Sequence, residues 1–202
     1  VFKFGGASVK DSEAVRNVVS ILKSQVKEPT VVVVSAMGKI TNTLEELVKA
    51  YFYKEGDVQT IFESVKSFHL NIAEELFPNV AAAVYAELNN VFVEMQWALE
   101  EEPAYSYDHH YDQIVSQGEI LSTKIISAYL ESSGLHNKWM DARGLIQTDN
   151  TYREGKVDYA LSEALVTKEF LPVLKTHPIV VTQGFIGGTS ENFTTTLGRE
   201  GS

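Results

Sequence analysis

Apolar residues follow two rhythms along these 202 residues. The first is the short solid run. Val1–Phe4 is a brief apolar strand that holds one lysine and stops at Gly5-Gly6. TVVVVSA (30–36) carries four consecutive valines, and PIVVTQGFIGG (178–188) stays largely apolar until its glycines. Solid runs of this length are typical of strands buried on both faces, as in a parallel sheet. The second rhythm is the three-and-four spacing of one helix face. It places a helix through Val15, Val18, Val19, Leu22 and Val26, capped by Asp11 or Ser12 and ended by Glu28-Pro29. Further helices are expected from near Thr41 or Asn42, from about Ser116 to Ser132, and over 158–175. Residues 57–102 repeat apolar positions at three and four without a glycine. Pro78 splits this stretch and Glu100-Glu101-Glu102-Pro103 closes it, which predicts a helical lobe. AYSYDHHYDQ (104–113) reads as a polar, aromatic loop and NKWMDAR (137–143) as a short strand. TSENFTTTLG (189–198) reads as a turn over Ser190 to Asn192 followed by a return strand.

Strands alternating with helices indicate an α/β fold, a mainly parallel sheet covered by helices, with the lobe at 57–102 beside it. Ligands of such sheets bind beyond the carboxyl ends of the strands. The segments there are Gly5-Gly6-Ala7-Ser8, Ser35-Ala36-Met37-Gly38 and Gln183-Gly184-Phe185. All three are polar and contain glycine, and they are expected to converge on one site.

Charge narrows the ligand. Seventeen Lys and Arg against 27 Asp and Glu give a net charge of -10. That sign argues against sequence-independent nucleic-acid binding, which needs a basic face. It leaves room for an anionic ligand in a local pocket rich in cations or N–H groups. The absence of cysteine excludes disulfides, zinc-thiolate sites and thiol catalysis, and fits a reducing cytosol. No stretch has the length of a membrane span, and no signal-peptide pattern appears. The chain begins without methionine and ends on TTLGREGS, in what reads as the middle of a motif, so it is expected to be a fragment.

Two glycines after a strand let a ligand approach bare backbone N–H groups, as in phosphate cradles. With Lys3 beside them they can hold a transferring phosphoryl group; equally, they can be a tight turn beside a surface lysine. The spacing is neither that of a P-loop nor G-x-G-x-x-G. YDHHYD, with Asp108, His109, His110 and Asp112, invites a metal reading, but adjacent histidines rarely face one ion and no second cluster supports them. No metal-ligating side chain is assigned.

KFGGASV closely resembles the KFGGTSV signature of aspartate kinases, members of the amino-acid kinase superfamily. Further segments follow in the family's order: SAMGKITN, SQGEILS, WMDAR with TDNTY, and VVTQGFIG with TTTLGREGS. The resemblance covers essentially all 202 residues. Ala7 departs from the usual threonine, and Glu200 from the usual glycine.

The resemblance implies an amino-acid kinase fold, a three-layer sandwich, with residues 1–202 forming the N-terminal part of the catalytic domain. It implies transfer of phosphate from ATP to the side-chain carboxylate of L-aspartate, with Mg2+ bound mainly through phosphate oxygens. Lys3, Gly5 and Gly6 would be catalytic, and with Ser8 would hold the nucleotide's phosphates. Thr41, Glu119, Phe185, Arg199 and Ser202 would bind substrate. Arg199 would take the α-carboxylate and Glu119 the ammonium; Thr41 and Ser202 would donate hydrogen bonds, and Phe185 would pack on the substrate. Other readings of single residues stay open. Glu119 can be a first-turn residue that complements its helix dipole, Ser8 a helix cap, and Phe185 simple core. The family also implies a homo-oligomer in the cytoplasm, with feedback by lysine or threonine through regulatory domains beyond residue 202. Two other functions compete. One is another kinase of the superfamily, acting on acetylglutamate, glutamate or a nucleoside monophosphate. The other is a non-catalytic module that only binds or assembles.

Overall fold

The structure, a computed structural model, describes residues 1–77 and 82–198. Its frame is a four-stranded, all-parallel sheet in the order β1 (Phe2–Phe4), β2 (Thr30–Val34), β4 (Ile179–Gln183) and β3 (Asn137–Trp139). The register pairs Phe4 with Val34, Val34 with Gln183, and Asn137 with Ile179. The three solid runs are thus adjacent strands. Alternation then assigns the faces. Phe4, Val32, Val34, Ile179 and Val181 join the larger core, which the first six helices cover. Val31 and Val180 face a smaller cluster with Leu145, Phe170 and Val173. Helices lie on both faces of the sheet, as the three-layer expectation required.

Helix α1 (Ser12–Gln25) begins where Asp11 accepts a 2.8 Å hydrogen bond from the Ala14 N–H. The cap is therefore Asp11, not Ser12 and not Ser8. Helix α2 (Ile40–Tyr53) starts at Ile40 and ends at Lys54, whose φ of 56° is left-handed. The lobe consists of α3 (Val58–Leu76), capped by Asp57, and α4 (Ala82–Glu100). Pro78, expected to split it, lies outside the described residues.

Residues 104–113 differ from the expected loop. Helix α5 (Tyr107–Val115) occupies most of them, with Ser106 as its N-cap, and runs almost directly into α6 (Gln117–Ser132). Its buried side carries His109, Tyr111 and Asp112 besides Ile114 and Val115, so polar residues hide the apolar period. The single helix expected over 158–175 is interrupted. Between α7 (Tyr159–Leu165) and α8 (Leu171–Thr176) lies a π-helical stretch, Val166–Phe170. Pro172 has no N–H to give the Lys168 carbonyl, and its ring would crowd that carbonyl; the wider turn just ahead accommodates it. The strand NKWMDAR is three residues long and passes into a 3-10 turn, Ala142–Gly144, opened by Asp141. The expected return strand is β6 (Thr194–Thr196), antiparallel to β5 (Ile186–Gly188).

Candidate active site

The carboxyl ends of β1, β2 and β4 meet. Ser35 N–H donates to the Phe4 carbonyl at 3.1 Å, Gly38 N–H to Gly6 at 3.0 Å, and Gly184 N–H to Val34 at 3.2 Å. A Cβ on Gly6 would lie 2.8 Å from both the Ala36 and Gly38 carbonyl oxygens, so this glycine lets two backbones cross. Gly5 differs. It is exposed and extended, and a Cβ there would meet nothing within 4 Å. Of the glycine pair, Gly5 leaves open backbone and Gly6 is a packing requirement. Ser8 is exposed in the following 3-10 turn, and its N–H bonds the Gly5 carbonyl at 2.8 Å. Lys3 is exposed. Its neighbours Phe2 and Phe4 pack on the helix-covered core, so alternation puts Lys3 on the other face of the sheet.

Beside these ends opens a polar cleft of about 870 Å³. Thr41 and Asn42, in the first turn of α2, form part of its wall. A helix N-terminus there has a dipole that favours anions; of its first N–H groups, Ile40 donates to the Met37 carbonyl and Asn42 to the Lys39 carbonyl, both at 3.0 Å. Phe185 forms another part of the wall. Its φ is 68°, and the Ile186 N–H closes back on Gly184 O at 2.8 Å, a tight three-residue turn of the strained kind. The structure therefore brings Thr41 and Phe185 together in one cleft. Arg199 and Ser202 lie outside the described residues.

Glu119 sits in the first turn of α6 with 3% of its surface exposed. Its Oε1 accepts from the Ala36 N–H at 3.2 Å, and its buried Oε2 has no partner among the described residues. Burial pushes the carboxyl up to about 8, against the lowering effect of the Ala36 N–H. The residue is fixed under the end of β2 by a close helix approach. A Cβ on Gly118 would lie 2.9 Å from Leu44 Cδ1 and 3.0 Å from Ala36 Cβ.

Four residues have structural roles that the sequence did not assign to them. Arg153, exposed on the cleft wall, stands over the Tyr111 ring at 4.4 Å and pairs with Asp108 at 3.3 Å. Asp112 is fully buried and accepts three hydrogen bonds, from the Arg153 N–H (2.8 Å), the Thr196 N–H (2.9 Å) and the Thr196 hydroxyl (2.7 Å). Burial raises its carboxyl to about 6, and these donors work against that rise. Gln113 grips β6 like an extra strand, its amide accepting from Thr194 N–H (3.0 Å) and donating to Thr194 O (2.8 Å). Gln183 links Ala142 N–H (2.7 Å) to the Thr123 hydroxyl (2.8 Å), tying β4 to α6. The local signal for Asp112 and Gln113 was present in YDHHYDQ, where a metal reading competed with it. His109 is buried among the rings of Tyr105, Tyr152 and Phe193, and His110 lies against Tyr51.

The sequence profile of the amino acid kinase family matches residues 1–202. Aspartokinase of Chlamydia trachomatis is 33% identical over 202 residues, which is all of this chain and 43% of that protein. Lysine-sensitive aspartokinase 3 of Escherichia coli is 33% identical over 205 aligned residues, covering 44% of its own length. The crystal structure of E. coli aspartokinase III with aspartate and ADP, described as the R-state, superposes with a TM-score of 0.87 at 30% identity over 98% of this chain and 43% of that one. The T-state complex of the same enzyme with lysine and aspartate superposes with a TM-score of 0.83. The chain thus spans somewhat less than half the length of these relatives.

Proposed function

The chain belongs to the amino acid kinase family, and from that premise we propose that its protein is an aspartate kinase, converting ATP and L-aspartate to ADP and 4-phospho-L-aspartate. One observation carries the reading. The polar cleft lies beyond the carboxyl ends of a parallel sheet that superposes on an aspartokinase bound to aspartate and ADP. Residues 1–202 are then the N-terminal part of the catalytic domain.

The chemistry asks little of a general base. The acceptor is a carboxylate, ionised at neutral pH because its pKa is near ~3.9. The obstacle is the approach of one anion to another, which is met by positioning and positive potential. In this reading the open backbone at Gly5, with Lys3 and Ser8, holds phosphate oxygens, while Gly6 keeps the turn tight. Thr41 donates to a substrate carboxylate from the α2 N-terminus. Glu119 takes the ammonium, Phe185 packs on the substrate, and Arg199 and Ser202 bind its carboxylates. Mg2+ neutralises phosphate charge when the nucleotide is bound. The ion would be held mainly through the nucleotide's phosphate oxygens. Assembly into a homo-oligomer, and feedback by lysine or threonine, are assigned to the full-length protein. No described helix is long and apolar enough to cross a membrane. The cytoplasm is the compartment this reading assigns, although plant relatives are chloroplastic.

The test uses the full-length protein with ATP, Mg2+ and hydroxylamine, scoring acyl hydroxamate from L-aspartate, L-glutamate and N-acetyl-L-glutamate in parallel. Signal with aspartate alone is expected. Signal with N-acetyl-L-glutamate, which has no ammonium, would retain the acyl-phosphate chemistry and overturn the Glu119 role; signal with L-glutamate would overturn the choice of aspartate. No signal with any acid, and no phosphorylated nucleoside monophosphate, would favour a binding module.

A further inference from the structure

We propose that Asp112 is a positioning residue, a buried clamp that holds two walls of the substrate cleft together. Three elements meet at its carboxylate. Oδ2 accepts the Arg153 N–H at 2.8 Å and the Thr196 N–H at 2.9 Å, and Oδ1 accepts the Thr196 hydroxyl at 2.7 Å. Asp112 belongs to α5, Arg153 to the loop between the 3-10 turn at Ala142–Gly144 and α7, and Thr196 ends β6. Both Arg153 and Thr196 line the cleft; Asp112 itself is fully buried and does not.

The bond to Arg153 has a specific consequence. Arg153 has a φ of 68°, a left-handed conformation that a side chain other than glycine resists. Its N–H is held by Asp112, while its guanidinium reaches Tyr111 and Asp108, both on α5. One helix therefore fixes the backbone of this residue and the direction of its charge. The loop is stitched on the far side as well, where Gly155 N–H donates to the Thr196 carbonyl at 2.9 Å. At the other end of β6, Gln113 holds both backbone groups of Thr194.

A neutral carboxylic acid, an amide or an ionised carboxylate can all fill this position, because it requires one acceptor oxygen for the two N–H groups and a second polar atom facing the Thr196 hydroxyl, which can donate or accept. Asparagine can offer its oxygen to the two N–H groups and its NH2 to the Thr196 hydroxyl oxygen. Alanine offers nothing, and serine is too short to span the three donors.

The proposal rests on the aspartate kinase reading, and the experiment separates the two. Full-length wild type, Asp112→Asn, Asp112→Ser and Asp112→Ala are compared by amide hydrogen exchange and by steady-state kinetics with L-aspartate. The expected result for Asp112→Ala is exchange at least tenfold faster in 150–155 and 194–198, with 30–34 unchanged. Its KM for aspartate rises about tenfold while kcat stays within about twofold, and Asp112→Asn stays near wild type in both readouts. Asp112→Ser stands in if the alanine variant does not fold. Unchanged exchange in the two walls, or exchange accelerated equally throughout, overturns the clamp. So does an asparagine variant as impaired as alanine. If wild type turns over no aspartate, the kinase reading fails, and the exchange pattern alone decides the clamp.

Discussion

Glu119 and His69 are buried ionisable groups whose protons respond to opposite events. Glu119, raised to about 8 by burial, is mostly neutral at pH 7 while its Oε2 lacks a partner among the described residues. A substrate ammonium arriving at that oxygen would favour the charged form and drive the proton off. Binding of aspartate to the full-length protein at pH 7 is therefore expected to release close to one proton. Calorimetry in buffers of different ionisation enthalpy measures it. Glu119→Gln should abolish the release, and a value near zero in wild type would remove Glu119 from the ammonium site. His69 is the reverse case. It is fully buried in the lobe, with Nδ1 at 2.8 Å from the Val65 carbonyl, and burial lowers it to about 4 from an ordinary 6.5. Because the unfolded chain takes up this proton first, the neutral ring's contribution is present above about 6.5 and is lost as pH falls toward 4. Relative to wild type, His69→Phe should gain about 2 kcal/mol between pH 7.5 and pH 5. Urea unfolding at the two pH values checks this, and parallel curves would show that His69 does not titrate in that range.

Among elements, α6 approaches α2 closely at Gly118. Gly118 has no room for a methyl group between Leu44 and Ala36, and it precedes Glu119 directly. Gly118→Ala should cost about 1–3 kcal/mol by overpacking. It should also raise the KM for aspartate, because the same displacement moves Glu119 and the first turn of α2. A denaturation midpoint and a kinetic profile test the two effects, and an unshifted midpoint would mean that the helices separate freely. This glycine shows where sequence reading falls short. SQGEILS marked a helix start and a candidate carboxylate, but the need for glycine arises only when a second helix passes over it. The strands were legible because burial on both faces leaves a solid apolar run. Helix α5 was not, because its inward side bonds and stacks through Asp112, His109 and Tyr111 and so carries no apolar period. The π-helical stretch was hidden for another reason. Pro172 announces a disturbance but not which turn will widen to absorb it.

At the scale of the whole molecule, the convergence of three glycine-bearing strand ends was readable from topology alone, and Thr41 and Phe185 do meet in one cleft. The wall opposite was not readable. Arg153 and Thr196 come together through a carboxylate far from both in sequence, and a partner set of that kind has no local signature. The same topology has a temporal consequence. Strand β2 ends at Val34, yet its neighbour on one side, β4, begins only at Ile179. At ribosomal speeds of about 5–20 residues per second, the valine strand waits on the order of ten seconds with one edge unsatisfied. Such an edge invites pairing with another chain. Ribosome-bound chains arrested before Ile179 should be protease-sensitive around 30–34, and chains arrested once Gln183 has cleared the exit tunnel should be protected there. During that interval the growing polypeptide depends on its own helices, or on a chaperone, to keep β2 from the wrong partner.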